Sequence, residues 1–160
     1  MYDLPRELID ALKSTPETLK GLLSQITVEQ ARSARGGDEN WSVVEVVCHL
    51  RDAEEISLQR MQAMRDQERP RVSGYDQEAL ARERNYNEAD LHAALNDFIV
   101  FRQRHIAALS ALSAEDWERI GEHAQLGEIT IFGHTLHKVS HDANHCAQIA
   151  HQVLSVKAND

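Results

Sequence analysis

Apolar residues recur at spacings of three and four along almost the whole chain, and no segment alternates with period two for long enough to predict a strand. The pattern predicts an all-α protein. Leu4, Leu8 and Leu12 open a first helical region, which restarts at Ser14-Thr15-Pro16-Glu17. There Thr15 can cap, Pro16 suits the first helical position and Glu17 favours the positive helix end. The region continues through Leu19, Leu22, Leu23 and Ile26. The stretch from Arg32 to Asn40 carries Gly36-Gly37 and no periodic apolar set, so a loop is expected. Ser42 with Glu45 spells a capping box, flanked by Trp41 and Val46 at the positions of a hydrophobic staple. A second helix therefore starts there and runs to about Gln67, ahead of Pro70. Residues 69–86 are polar and aperiodic. Asn87 and Asp90 open a third helix through Leu91, Leu95, Phe98, Ile106, Leu109 and Leu112, ending near Ser113. A loop with Gly121 and Gly127 leads to Thr130, which caps a last helix reaching about Leu154.

Four long helices joined by substantial connections specify a four-helix bundle. The length, 160 residues, suits one domain over 1–160 with its core at about 5–154. Leu23-x-x-Ile26-Thr27-x-Glu29 is echoed by Leu109-x-x-Leu112-Ser113-x-Glu115, each after one long helix and before the loop to a His-bearing one. The echo fits two similar helical hairpins, or chance.

Composition narrows the function. A chain 42% hydrophobic and 27% charged is neither disordered nor low-complexity. Its 17 Lys+Arg against 26 Asp+Glu give a formal charge of −9 with no basic patch, which argues against nucleic acid or an anionic membrane surface as partner. No apolar run approaches the roughly 20 residues that cross a bilayer. The opening Met1-Tyr2-Asp3-Leu4-Pro5-Arg6-Glu7 lacks the pattern of a secretory signal, so a cytoplasmic location is expected. Cys48 and Cys146 lie far apart and are expected as free thiols. Histidine is abundant: of nine, five fall between His134 and His151.

On a helical wheel of the last helix His134, His137, His141, His145, Gln148 and Gln152 share one polar stripe. Phe132, Leu136, Val139, Ala143, Cys146, Ala147, Ala150 and Val153 lie opposite, which predicts that this helix packs by that apolar side. Histidines four apart can chelate one divalent ion, and both His137/His141 and His141/His145 have that spacing. A third ligand is best supplied by His49, on the rim of the buried face of the second helix. Two such helices meeting in a cleft would give a three-imidazole site with open positions.

Each feature also has a plainer reading. A polar stripe is commonly a solvated surface, and His49 a half-buried helix histidine. His92, His105 and His123 show no partner spacing, and the wheel turns Cys48 and Cys146 away from the neighbouring histidines. Asp52 could orient a ligand but reads more simply as a surface charge. Glu54 falls on the apolar side and needs a partner such as Arg60 or Arg102.

Trp41-Ser42-x-x-Glu45-x-x-x-His49-Leu50-x-Asp52-x-Glu54, followed about ninety residues later by His141-Asp142-x-x-His145-x-x-Gln148-Ile149, resembles the DinB/YfiT-like metalloenzyme superfamily. The likeness covers Pro5 to about Val153. It implies a four-helix bundle with three histidines from the second and last long helices on one divalent metal, here His49, His141 and His145. His134 and His137 then depart from the minimal pattern as potential extra ligands. Three neutral imidazoles suit zinc first and nickel next. The resemblance further implies a metal-dependent transferase using a low-molecular-weight thiol, or a hydrolase, acting on a small molecule, and a homodimer. Two other classes compete with an enzyme: a metal-stabilised binding or stress-response protein, and a plain helical interaction module.

Overall fold

The computed structural model describes residues 3–158. Four long helices, α1 (Leu4–Leu23), α3 (Val43–Asp66), α5 (Leu91–Ser110) and α7 (Ile131–Lys157), form the expected bundle. Each packs on two others, in the ring α1–α7–α3–α5. Short elements fill the connections: α2 (Val28–Ser33), α4 (Gln77–Glu83), α6 (Ala114–Trp117), a 3-10 turn at Tyr86–Glu88 and five strands of two to four residues. Strands β1 (Arg35–Gly36) and β2 (Trp41–Ser42) pair antiparallel. β3 (Arg71–Val72) runs parallel to β4 (Ile120–His123), which pairs antiparallel with β5 (Gly127–Thr130). None of these strands is long enough to show a period of two, which is why the sequence reads as wholly helical.

The caps decide most boundaries. Ser42 accepts from the Glu45 amide while Glu45 accepts from the Ser42 amide, which starts α3 where expected, and Trp41 and Val46 of the staple are both buried. Asp90 caps α5 and Thr130 caps α7, which extends to Lys157, beyond the expected end. Asn87 does not open α5; it belongs to the preceding 3-10 turn and accepts the Ser42 hydroxyl. The segment 69–86 contains α4, capped by Asp76, although its polar composition hides it. The echoed sequences share a physical device: α1 and α5 end within their first two residues, and Thr27 and Ser113 each close a capping box on a short helix, α2 and α6.

The first helix does not restart at Pro16. α1 runs unbroken through it, because the Leu12 carbonyl that a proline four residues on leaves without a donor receives the Arg102 Nη1 at 2.8 Å instead. Thr15 is therefore no cap. It is buried and donates its hydroxyl to Asp142.

Nor does α7 pack by the expected apolar side alone; its buried face lies between that side and the polar stripe. Its buried residues are Ile131, His134, Thr135, Lys138, Asp142, Ile149, Gln152 and Val153, while Leu136 of the apolar side stands 50% exposed. Lys138 and Asp142 turn inward because α3 and α5 meet them with charge. Two apolar clusters, one with Leu19, Leu50, Phe98 and Ile149 and one with Leu12, Leu58, Leu109 and Ile131, sandwich a middle layer of Thr15, Glu54, Arg102, His105, Lys138 and Asp142. Among the described residues no helix is long and apolar enough to cross a membrane.

Candidate metal centre

His49 projects from the second turn of capped α3, and His141 and His145 from successive turns of α7, so the contact between α3 and α7 brings them together. Ring centroids lie 5.0 Å apart for His49 and His141, 4.8 Å for His49 and His145, and 4.5 Å for His141 and His145. One nitrogen from each ring falls within 4.8 Å of the others. His49 is not on a rim: it is 1% exposed, its ring 5.0 Å from the Trp41 ring. His141 and His145 are half-buried.

The electrostatics favour neutral imidazoles. Burial, reinforced by the two neighbouring histidines, pushes the pKa of His49 down to about 2. Burial also lowers His141, to about 4, against the opposing pull of Asp142. His145 is lowered too, chiefly by burial, with Gln148 and the Glu39 charge opposing. The His49 and His141 Nε2 atoms face each other at 2.9 Å, so they either share a proton or aim two lone pairs at one cation. Neither ring's Nδ1 has a hydrogen-bond partner among the described residues. No fourth Cys, Asp or Glu joins the group among those residues, which leaves room around a bound ion. These features fit a divalent metal held by imidazole.

Behind His141 stands the ionic layer. Asp142 Oδ1 is 3.7 Å from His141 Nδ1, and its carboxylate is held by Lys138 at 2.6 Å and Arg102 at 2.5 Å. Arg102 grips both oxygens of Glu54 at 2.8 and 2.7 Å, and His105 Nδ1 lies 2.9 Å from Glu54. Burial alone would raise both carboxylates, but Lys138 and Arg102, with His105 at Glu54 and His141 at Asp142, hold them well below their ordinary range. Glu54 thus has the Arg102 partner. Arg60 instead donates to the Ser73 carbonyl and lies over Tyr75.

The remaining candidates go elsewhere. His134 is buried with Nε2 against the Ser57 hydroxyl and carbonyl, and His137 is exposed; neither joins the three-histidine group. Asp52 is not a surface charge: it is 1% exposed, accepts from Tyr86 at 2.5 Å and pairs with Arg51 and Arg84. Cys48 and Cys146 are free thiols pushed up to about 11 by burial, unsuited to ligation. His92 is exposed, and His123 accepts two amides of its own turn.

Two participants lie outside the ligand pattern. Gln148, placed on the stripe without a role, accepts from His145 Nδ1 at 2.9 Å, and the three-residue spacing on a helix was the signal. Trp41, assigned only to the staple, also walls His49, which no spacing rule reveals.

A family model of the DinB superfamily matches residues 11–149. The chain belongs to the DinB superfamily. A protein of Oceanobacillus iheyensis named "Putative metal-dependent hydrolase" is 28% identical over 144 residues, 89% of this chain and 82% of that protein. YfiT of Bacillus subtilis, described as a probable metal-dependent hydrolase with an unusual four-helix bundle topology, superposes with a TM-score of 0.88 at 25% identity, covering 96% of this chain and 87% of YfiT. The mycothiol-dependent maleylpyruvate isomerase shares the fold, with a TM-score of 0.76 at 11% identity over 93% of this chain and 63% of the isomerase. As a DinB-superfamily member with the YfiT bundle topology, the chain carries its three converging histidines on the second and fourth long helices.

Proposed function

We propose that this chain is a metal-dependent hydrolase whose divalent ion, zinc in first place and nickel in second, is held by His49, His141 and His145. The observation that carries the reading is the convergence of three imidazoles, all depressed below their ordinary pKa, with no carboxylate or thiolate among them. Two relatives named for metal-dependent hydrolysis support the reaction class. Such an ion, when bound, supplies Lewis acidity toward a water molecule or a substrate carbonyl.

The chain's own residues make the site ready. Burial keeps the imidazoles unprotonated at neutral pH, so they need not shed protons to become ligands. The Trp41 ring against His49 keeps water from that side, and the Asp142 carboxylate sets negative charge behind His141.

Elemental analysis of the unstripped protein, followed by chelation and reloading with zinc or nickel, tests the proposal. About one equivalent of metal and metal-dependent turnover of an ester or amide panel are expected. Turnover only when a low-molecular-weight thiol is added would make the chain a transferase instead. Metal retention without turnover of either kind would make it a metal-stabilised binding protein. A purified chain that neither carries nor takes up metal would overturn the reading altogether.

A further inference from the structure

Gln148 lies one turn beyond His145 on α7 and points into the β1–β2 hairpin. Its Nε2 donates to the Gly36 carbonyl at 3.0 Å, and its Oε1 lies 2.9 Å from His145 Nδ1. A backbone carbonyl only accepts, so the amide end facing Gly36 is the NH2 group. The other end is then the amide oxygen, which also only accepts, and His145 Nδ1 must carry the hydrogen. A neutral imidazole protonated at Nδ1 has its free lone pair on Nε2. Lacking this acceptor, His145 could rotate or move its hydrogen to Nε2, which then could not donate to a cation.

The hairpin is shaped to hold this amide. Gly36 pairs with Trp41 across β1–β2, and Gly37 follows with φ at 76°. A Cβ at Gly37 would stand 2.3 Å from Gln148 Nε2, so any side chain there displaces the amide. Gln152, one turn farther on, supplies an internal comparison. Its Nε2 donates to the Ala34 and Trp41 carbonyls at 2.9 and 2.7 Å, clamping the same hairpin, but among the described residues it has no hydrogen bond to an imidazole.

We infer that Gln148, seated by the Gly36-Gly37 turn, is a positioning residue that fixes His145 as the Nδ1–H tautomer and so sets the affinity of the centre for a divalent cation. The inference rests on the metal reading above, and goes beyond it by tying a surface hairpin to one ligand nitrogen.

Two measurements on the full chain test it. On the metal-free protein at neutral pH, long-range nitrogen–proton correlations report which nitrogen of His145 is protonated; on the same samples, a competing chelator reports zinc affinity. Wild type is expected as the Nδ1–H form. Gln148→Leu should shift His145 toward Nε2–H and weaken zinc binding by roughly 10–100-fold. Gln148→Glu keeps an acceptor at Nδ1 but loses the donor to Gly36, and should hold His145 as the Nδ1–H form with a smaller loss of zinc affinity than Gln148→Leu. Gly37→Ala, which alters neither α7 nor a ligand, should mimic Gln148→Leu and carries the comparison if that variant fails to fold. Gln152→Leu should lower the melting temperature and leave tautomer and affinity unchanged. Wild-type tautomer and affinity in Gln148→Leu and Gly37→Ala would overturn the inference, as would an equal loss in Gln152→Leu, since a hairpin clamp would then explain everything. A wild-type chain that shows the Nδ1–H form yet binds no zinc would sink the metal reading and not the tautomer.

Discussion

Burial gives individual side chains of this bundle chemistry they would not have in water. His49 at 1% exposure and a pKa near 2 is a lone-pair donor at any neutral pH, whereas a solvated histidine is partly a cation. Removing the ring in His49→Ala should therefore weaken zinc binding by more than the roughly 10–100-fold of an outer partner, while leaving the helices formed because the capping box of α3 is untouched. Equilibrium dialysis alongside far-ultraviolet circular dichroism reads both; a His49→Ala chain that binds zinc as wild type does would remove His49 from the ligand set. Glu54 shows the opposite use of burial. Its carboxylate is fully enclosed but held charged by Arg102 and Lys138, and Glu54→Gln should destabilise the fold by about 3 kcal/mol because it leaves these two buried cations sharing the single charge of Asp142. Urea unfolding measures it; a loss under about 1 kcal/mol would mean the cations find other partners.

At the scale of elements, ends were legible in the sequence and insides were not. Capping boxes and cap residues are local chemistry, and Ser42, Asp90 and Thr130 stand at the helix starts that their side chains advertise. The i,i+4 pair His141/His145 was equally legible, because helical geometry alone brings those rings within 4.5 Å. The inward face of α7 was not, since the rule that apolar sides face the core fails where a partner helix offers complementary charge, and Lys138 and Asp142 meet theirs on α3 and α5. Pro16 failed for the same reason: its effect is cancelled by Arg102, 86 positions away in the chain, at the Leu12 carbonyl. That cancellation can be measured. Pro16→Ala restores the amide that Leu12 would otherwise use, so Arg102→Met should cost about 1 kcal/mol less in the Pro16→Ala background than in wild type, the worth of one hydrogen bond. A double-mutant cycle with zero coupling would show that the guanidinium does not substitute for the missing helical donor.

Across the whole molecule, the histidines and carboxylates of the interior act on stability with the same sign. His49, His134 and His141 sit at about 2, 3 and 4 in the folded chain, each lowered chiefly by burial, while in the unfolded chain they return to about 6.5. Below about pH 6.5 the unfolded chain therefore takes up protons that the folded chain refuses, and stability falls as pH falls. Glu54 and Asp142, held low when folded, add stability that is present above their ordinary values near 4 and lost below them. The protein should thus be most stable near neutrality and melt progressively lower from pH 7 to pH 4. Zinc at about 100 times its dissociation constant should add about 2.7 kcal/mol at neutral pH, a rise of roughly 5–10 °C in melting temperature. The two effects are linked. Because burial keeps His49 and His141 neutral well into acid, protons reach those two ligands mainly by unfolding the bundle, and metal release should follow the loss of helix rather than precede it. Acid titration of the zinc-loaded chain, followed by circular dichroism and a zinc indicator together, should give coincident midpoints. Zinc leaving about one pH unit above the helical transition would show that solvent protons reach the ligands in the intact fold, and that the centre is more open than its burial implies.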